Sequence, residues 1–394
     1  MSRPLCFLLL LCARALASQQ PVTRADAIAA ALSRGARAAF GRADTAAAAA
    51  TLHAARLYPN PSLAATYTKD TPHYHVIADV PLDLPWLRGA RIGAAAASRD
   101  AARYNFAFER AAIRFDMDTT YTHAVAAYAH ARLSRRTALD ADSLLRMAQL
   151  RRQVGDVSEL DVRLAEVNAG GLENIAEGDS LAALDALLAV QLAMGLAGAE
   201  PTIALVDSLD APADTAAVAP GAPLLVAAAA AELQAQERTL TLAHRSLLPA
   251  PSVQVGVEQG DPAGPATPLP TVGVALAIPL FNWNGGEVRQ AAAARDRARA
   301  NFDLVQRQSQ AALARARRAY GAARVRLARD QLLLAAADTV AAMSLQAYAE
   351  GAVALPNLLE AHRNAREALG RYIDDLTAAN DAAAALRLLT GTEP

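Results

Sequence analysis

The chain has 394 residues and a formal net charge of −1, a balance that argues against nucleic acid as a partner. It is 53% hydrophobic but only 5% aromatic, which excludes both a disordered polymer and an ordinary aromatic-cored globule. Much of the apolar content is alanine, which favours helix and lets helices pack closely.

Met1 to Ala17 carries Arg3, an apolar stretch from Leu5 to Ala13, and Ala15-Leu16-Ala17 ahead of Ser18. That order predicts a secretory signal over residues 1–17, too short to cross a membrane as a helix. Cys6 and Cys12 both lie inside it, so the exported chain is expected to have no thiol chemistry, no disulfide and no cysteine-type zinc site. Leu9-Leu10-Leu11 ahead of Cys12 lacks the small residue expected before a lipid-modified cysteine.

From Val22 to about Tyr58 the alanine-rich composition predicts helix, closed by Asn60-Pro61. Two extended segments follow, Ser62 to Lys69 and His73 to Asp83. Leu63, Ala65 and Tyr67 alternate onto one face of the first; Tyr74, Val76, Ala78, Val80 and Leu82 do so on the second. Each is about the ten residues that cross a bilayer as a tilted barrel strand. A soluble hairpin packed on helices fits the same alternation. His73 and His75 fall on one strand face, but no third ligand stands nearby in sequence, so a loop or rim role is expected rather than a metal site.

Arg88 to about Gln153 contains no proline, and as one helix would extend on the order of 100 Å. Phe106, Ile113, Met117, Tyr121, Val125 and Tyr128 form a stripe for a partner helix. Val154-Gly155-Asp156-Val157-Ser158 breaks the run, with Ser158 placed to cap the returning helix. That helix reaches about Leu196, and residues 198–222, with Pro201, Pro212 and Pro220, form an irregular connection.

The plan then recurs. Leu57-Tyr-Pro-Asn-Pro-Ser-Leu63 corresponds to Leu247-Leu-Pro-Ala-Pro-Ser-Val253, 190 positions on; Val80-Pro-Leu82 to Ile278-Pro-Leu280, 198 on; Trp86 to Trp283; Gly155-x-Val157 to Gly351-x-Val353; and Asn168 to Asn364, 196 on. The expected organisation is a first repeat over 18–197, with a hairpin near 61–83 and helices near 88–153 and 158–196. After the 198–222 connection comes a second repeat over 223–394, with a hairpin near 251–280 and helices near 286–350 and 356–390. In the second hairpin Val253, Val255 and Val257, then Val272, Val274, Leu276 and Ile278, alternate with polar or small residues. The arginine-rich run Arg295 to Arg329 reads as a solvated helix face. The last helix carries Leu358, His362, Ala365, Leu369, Tyr372, Leu376, Ala379, Ala383 and Leu386 at the four-three spacing of a coiled-coil seam, which makes His362 a packed residue.

Four strands cannot close a transmembrane barrel, whose lower limit is roughly eight, and unpaired backbone in hydrocarbon costs several kcal/mol per group. Strands in a membrane would have to be shared between copies, two giving eight and three giving twelve. No phosphate-binding glycine loop, GxSxG or HExxH pattern occurs, so no enzyme is expected and no cofactor. A secreted soluble coiled-coil adaptor or structural rod of an envelope complex is the alternative.

The chain resembles the TolC family of outer-membrane efflux channels over essentially the whole length beyond residue 17. The carriers are Tyr58-Pro-Asn-Pro-Ser62, Leu248-Pro-Ala-Pro-Ser252, Ile278-Pro-Leu-Phe-Asn-Trp-Asn-Gly-Gly-Glu-Val288 and Tyr348-Ala-Glu-Gly-Ala-Val-Ala-Leu-Pro-Asn-Leu-Leu-Glu-Ala361. Pro81 to Ile92 and Ile278 to Val288 most resemble the cobalt, zinc and cadmium resistance branch. The resemblance implies a mainly α fold with a small β part: a homotrimer whose shared twelve-stranded barrel sits in outer-membrane lipid above a periplasmic α-helical coiled-coil tunnel. It implies a periplasmic adaptor of the membrane fusion protein kind and an inner-membrane pump, of the resistance-nodulation-division type, as partners. Val154, Gly155, Asp156, Val157 and Ser158, with Gly351, Ala352, Val353 and Ala354, are then the adaptor-docking tips. Asn357 and Glu360 stand where the family often has acidic residues at the tunnel entrance; the amide replaces one expected carboxylate, leaving Glu360, repeated by symmetry, for a negative ring.

Overall fold

The computed structural model describes residues 19–213, 223–247, 250–261, 264 and 267–391. The expected signal segment, residues 214–222, and Leu248 and Pro249 of the second repeat motif lie outside the described residues. In chain order the first half comprises β1 (Gln20–Val22), α1 (Arg24–Arg34), α2 (Ala36–Arg56), β2 (Ser62–Tyr67), β3 (Tyr74–Pro81), α3 (Pro85–Gln153) and α4 (Glu159–Ala193). The second comprises β4 (Ile203–Leu205), α5 (Leu224–Arg245), β5 (Ser252–Gln259), β6 (Leu269–Ala275), α6 (Gly285–Ala349) and α7 (Leu355–Thr390). Helix, hairpin, long helix, turn, helix is thus built twice.

Two compact units cut across the repeats: of the described residues, one takes those within 19–38, 111–213 and 314–388, the other those within 39–110, 223–313 and 389–391. Both α3, of 69 residues, and α6, of 65, contribute to each.

In the first unit four residues of the stripe read on α3 lie in the core, whereas Tyr128 is exposed and Phe106, in the other unit, is half-buried. Ile113, Met117, Tyr121 and Val125 are buried against Ala27, Ala30 and Ala31 of α1, Leu187 and Val190 of α4, and Ile203. The alanines matter because a small side chain lets α1 approach closely enough to cover Tyr121 and Met117, which are essentially inaccessible to solvent. Val22 is in the same cluster because β1 pairs in parallel with β4, Val22 opposite Leu205, and the Tyr121 hydroxyl donates to its carbonyl at 2.9 Å. Buried Gln191 seals this clip, accepting from the Thr202 amide at 2.9 Å and donating to the Glu200 carbonyl at 3.1 Å. Asp118, also buried, accepts from Arg24 at 2.7 Å and from Arg387 of α7.

The single helix expected from Val22 to Tyr58 is in fact two, α1 and α2, divided at Gly35. A Cβ there would stand 2.3 Å from the Ala31 carbonyl oxygen, so no other residue fits this bend. Thr23 and Asp26 close a reciprocal capping box that starts α1 just after the β1 pairing ends.

In the second unit the two hairpins meet as one antiparallel sheet in the order β2-β3-β5-β6. The β period of the second hairpin runs on to Ile278, but pairing stops at Ala275, opposite Ser252. On the other side of β5 the contact with β3 runs one residue further, the Leu82 amide donating to the Pro251 carbonyl at 2.9 Å.

Candidate functional site

The turns at the ends of α3 and α6 are built alike. Gly155 and Gly351 adopt left-handed φ of 80° and 73°, a conformation that glycine takes without strain. After α3 the Asp156 amide reaches back to the Arg151 carbonyl and the Gly155 amide to that of Arg152, at 2.9 and 3.0 Å; after α6 Ala352 reaches Ala347 and Gly351 reaches Tyr348, at 2.8 and 3.0 Å. Both are Schellman caps, which satisfy the last helix carbonyls and reverse the chain within a few residues. Ser158 caps α4 reciprocally with Asp161, as its position suggested.

The turns lie side by side. Beneath them Leu144, Ala148, Ala165, Tyr348, Leu355 and Leu358 form a closed apolar cluster, with Val353 packed against it. Above it Val154 is 79% exposed, and Gly155, Ala352 and Ala354 are also open.

Arg151 joins the two turns. Its Nε donates to Asp156 at 2.6 Å, its Nη1 to the Tyr348 carbonyl at 2.8 Å, and its guanidinium lies 4.8 Å from the centre of the Tyr348 ring. The hydrogen bond to Asp156 raises its pKa further, while burial raises that of the Tyr348 phenol. Sequence reading missed both residues. The signal was there as a break in the repeat, since Arg151 occupies the place of Ala347 and Tyr348 that of Arg152.

Asn357 and Glu360 are exposed on the first turns of α7. Glu360 is engaged by Arg363 at 2.7 Å and Asn364 at 3.4 Å, and the arginine holds its carboxyl below the usual range. A cleft beside it is lined by Asp140 of α3, Asn168 of α4, and His362, Arg363 and Arg366 of α7.

The sheet is two-faced. Leu63 stands beside Ala78, Val255 and Val272, and Val80 beside Val253 and Val274. This apolar face is open: Leu63, Val255, Val272 and Val274 are 73, 51, 76 and 74% exposed. Tyr67 and Tyr74, ring centres 5.4 Å apart, end it at the hairpin side, and exposed Trp86, Phe281 and Trp283 follow beyond its other end. The opposite face carries Ser62, Thr66, His75, Asp79, Ser252, Gln254, Glu258 and Thr271. His75 Nδ1 lies 3.4 Å from Glu258 and its Nε2 3.2 Å from the Thr68 hydroxyl, while His73 meets the Thr68 carbonyl at 3.1 Å. The two histidines are therefore used in local contacts, and among the described residues no three His, Cys, Asp or Glu side chains are grouped to hold a metal ion.

The order of elements, a duplicated plan of hairpin and long helices, is shared with solved outer-membrane channels. The solved structures it matches are of that class: the Campylobacter jejuni outer membrane channel CmeC, at TM-score 0.80 and 16% identity over 93% of this chain and 85% of that one. The Vibrio cholerae outer membrane protein VceC gives 0.77 and 16% over 93% and 96%, and CusC, solved with the conformational changes that accompany folding and transmembrane channel formation, 0.77 and 16% over 94% and 92%. No family model and no curated protein matches the sequence. The chain thus has the fold of the TolC-like outer-membrane channels, as the duplicated motifs implied.

Proposed function

We propose that the protein is the outer-membrane channel of a tripartite efflux system, passing substrates passively from a periplasmic adaptor and an inner-membrane pump to the outside. The observation that carries this reading is the sheet: four strands, an exposed apolar face, and edges at β2 and β6 with no strand beside them among the described residues. Such a sheet is untenable in lipid alone and in water exposes a large oily patch. Three copies joined edge to edge close a twelve-stranded barrel with the valine face to lipid and the polar face to the lumen. The exposed apolar side chains of α6, among them Leu332, Val340 and Met343, and of α4, among them Leu160, Val167 and Leu181, suit the same assembly, each stripe covered by a neighbouring copy. One 18-residue window of α6 is apolar enough to cross a membrane by length and composition; interprotomer packing accounts for it without a helical span.

The paired turns are the adaptor-docking tips, with Val154, Gly155, Asp156, Val157 and Ser158 on one and Gly351, Ala352, Val353 and Ala354 on the other. Asn357 and Glu360 line the entrance just inside. The helix ends are held by the apolar cluster under the turns and by the Arg151 bridge, and adaptor binding selects the arrangement in which they separate. The motifs from Pro81 to Ile92 and from Ile278 to Val288, which resemble the cobalt, zinc and cadmium resistance branch, favour metal cations as cargo.

The test is membrane partitioning and assembly. The protein should stay with outer-membrane fragments after a high-salt wash and run as a detergent-stable trimer. A water-soluble monomer without lipid-inserted β structure would defeat the reading.

A further inference from the structure

The charged side chains of the sheet are few and all lie on one face. The four strands contain two carboxylates, Asp79 and Glu258, one histidine, His75, and neither lysine nor arginine. Register puts Glu258 opposite His75 on β3 and Asp79 opposite Gln254 on β5, both on the polar face. Each carboxylate is anchored by a neighbour: Asp79 accepts from the Ser252 hydroxyl at 2.7 Å, and Glu258 lies 3.4 Å from His75. The two levels are four residues apart, about 13 Å along the strand. Around them Ala64, Thr66, Gly256, Thr271, Gly273 and Ala275 are small, while Ile77 stands between the two levels and Leu269 opposite Glu258, whose side chain keeps 30% of its surface exposed.

We propose that this face makes the channel prefer cations, and that Asp79 and Glu258 are the residues that set the preference. The inference rests on the barrel reading above, in which threefold repetition turns each carboxylate into a ring on the lumen wall; acidic rings raise the local concentration of cations and repel anions. The tips do not compete for this role. Asn357 there is neutral, and Glu360 is held by Arg363 with Arg366 lining the same cleft, so fixed negative charge at that end is offset. The wall is wide and wet, so its field is screened over about 8 Å at physiological salt and reaches further in dilute solution. The preference is therefore graded and rises as salt falls.

The experiment uses the full-length assembly in a planar bilayer under a KCl gradient. The wild type should show a reversal potential on the potassium side, larger at low salt. Asp79→Asn combined with Glu258→Gln should lower the potassium over chloride permeability ratio about threefold or more towards unity. Thr271→Lys, on the same face, should move the ratio in the direction of the double variant and covers the case in which that variant fails to insert. An unchanged ratio in either lumen variant overturns the assignment. Protein that gives no conductance and is released by salt washing would instead defeat the channel reading itself.

Discussion

Arg151 donates to the carbonyl oxygen of Tyr348 at 2.8 Å while its guanidinium covers the ring of the same residue, so one side chain on α3 fastens the end of α6. A partly buried cation–π contact and a charge-assisted hydrogen bond together contribute on the order of 1–3 kcal/mol. Replacing Arg151 with alanine should raise the population of separated tips by about tenfold, seen as larger single-channel conductance at rest, with the trimer intact. Conductance equal to wild type would show that the bridge does not hold the tips closed.

The left-handed glycines give a second test. Gly155→Val and Gly351→Val each force a β-branched residue to positive φ, at a cost of about 1–3 kcal/mol, and the turn relaxes away from the cap. Efflux in a sensitised strain should fall while trimers still form; normal export by either variant would remove the tips from the docking site.

Alternation across the sheet is tested by neighbouring positions. Val272→Asp places a charge on the lipid face, costing up to about 2–4 kcal/mol near the membrane midplane, and should block insertion of trimers. Thr271→Asp, one residue away, points to the lumen and should insert normally. The reverse outcome would invert the assigned faces.

His362 supplies a pH dependence. Burial lowers its pKa from 6.5, opposed weakly by Asp140 on α3, and its Nε2 is enclosed without a hydrogen-bond partner. The unfolded chain therefore takes up the proton more readily than the folded one. The resulting stability is complete above about pH 6.5 and is lost as pH falls through the lower folded value. His362→Gln should flatten the acid side of a denaturation-midpoint profile, whereas a variant retaining the wild-type slope would place the titration elsewhere.

Core packing is checked at Met117 and Tyr121. Met117→Ala should lose about 2–5 kcal/mol by denaturant unfolding, and Tyr121→Phe, which takes one of two donors from the Val22 carbonyl, about 1 kcal/mol.

The parts legible in sequence were those with a period. Val253, Val255 and Val257 alternate, Met117, Tyr121 and Val125 step by fours, and Leu376, Ala379, Ala383 and Leu386 step by threes and fours; all are placed by the structure as those periods require. Three things had no period to read. The β1–β4 clip consists of two three-residue strands that pair across some 180 positions of chain. The Gly35 bend depends on an approach to Ala31 that composition does not reveal. The Arg151–Tyr348 bridge joins the two repeats at places where they differ, and comparing the repeats for likeness passes over it.

Asp118 receives Arg24 from the first helix and Arg387 from the last, so the opening and closing helices are buckled to one carboxylate on α3. Neutralising either arginine alone leaves that buried acid with a counter-ion, whereas removing both abandons it. Trimming the chain from one end should consequently be forgiven, and trimming it from both should not.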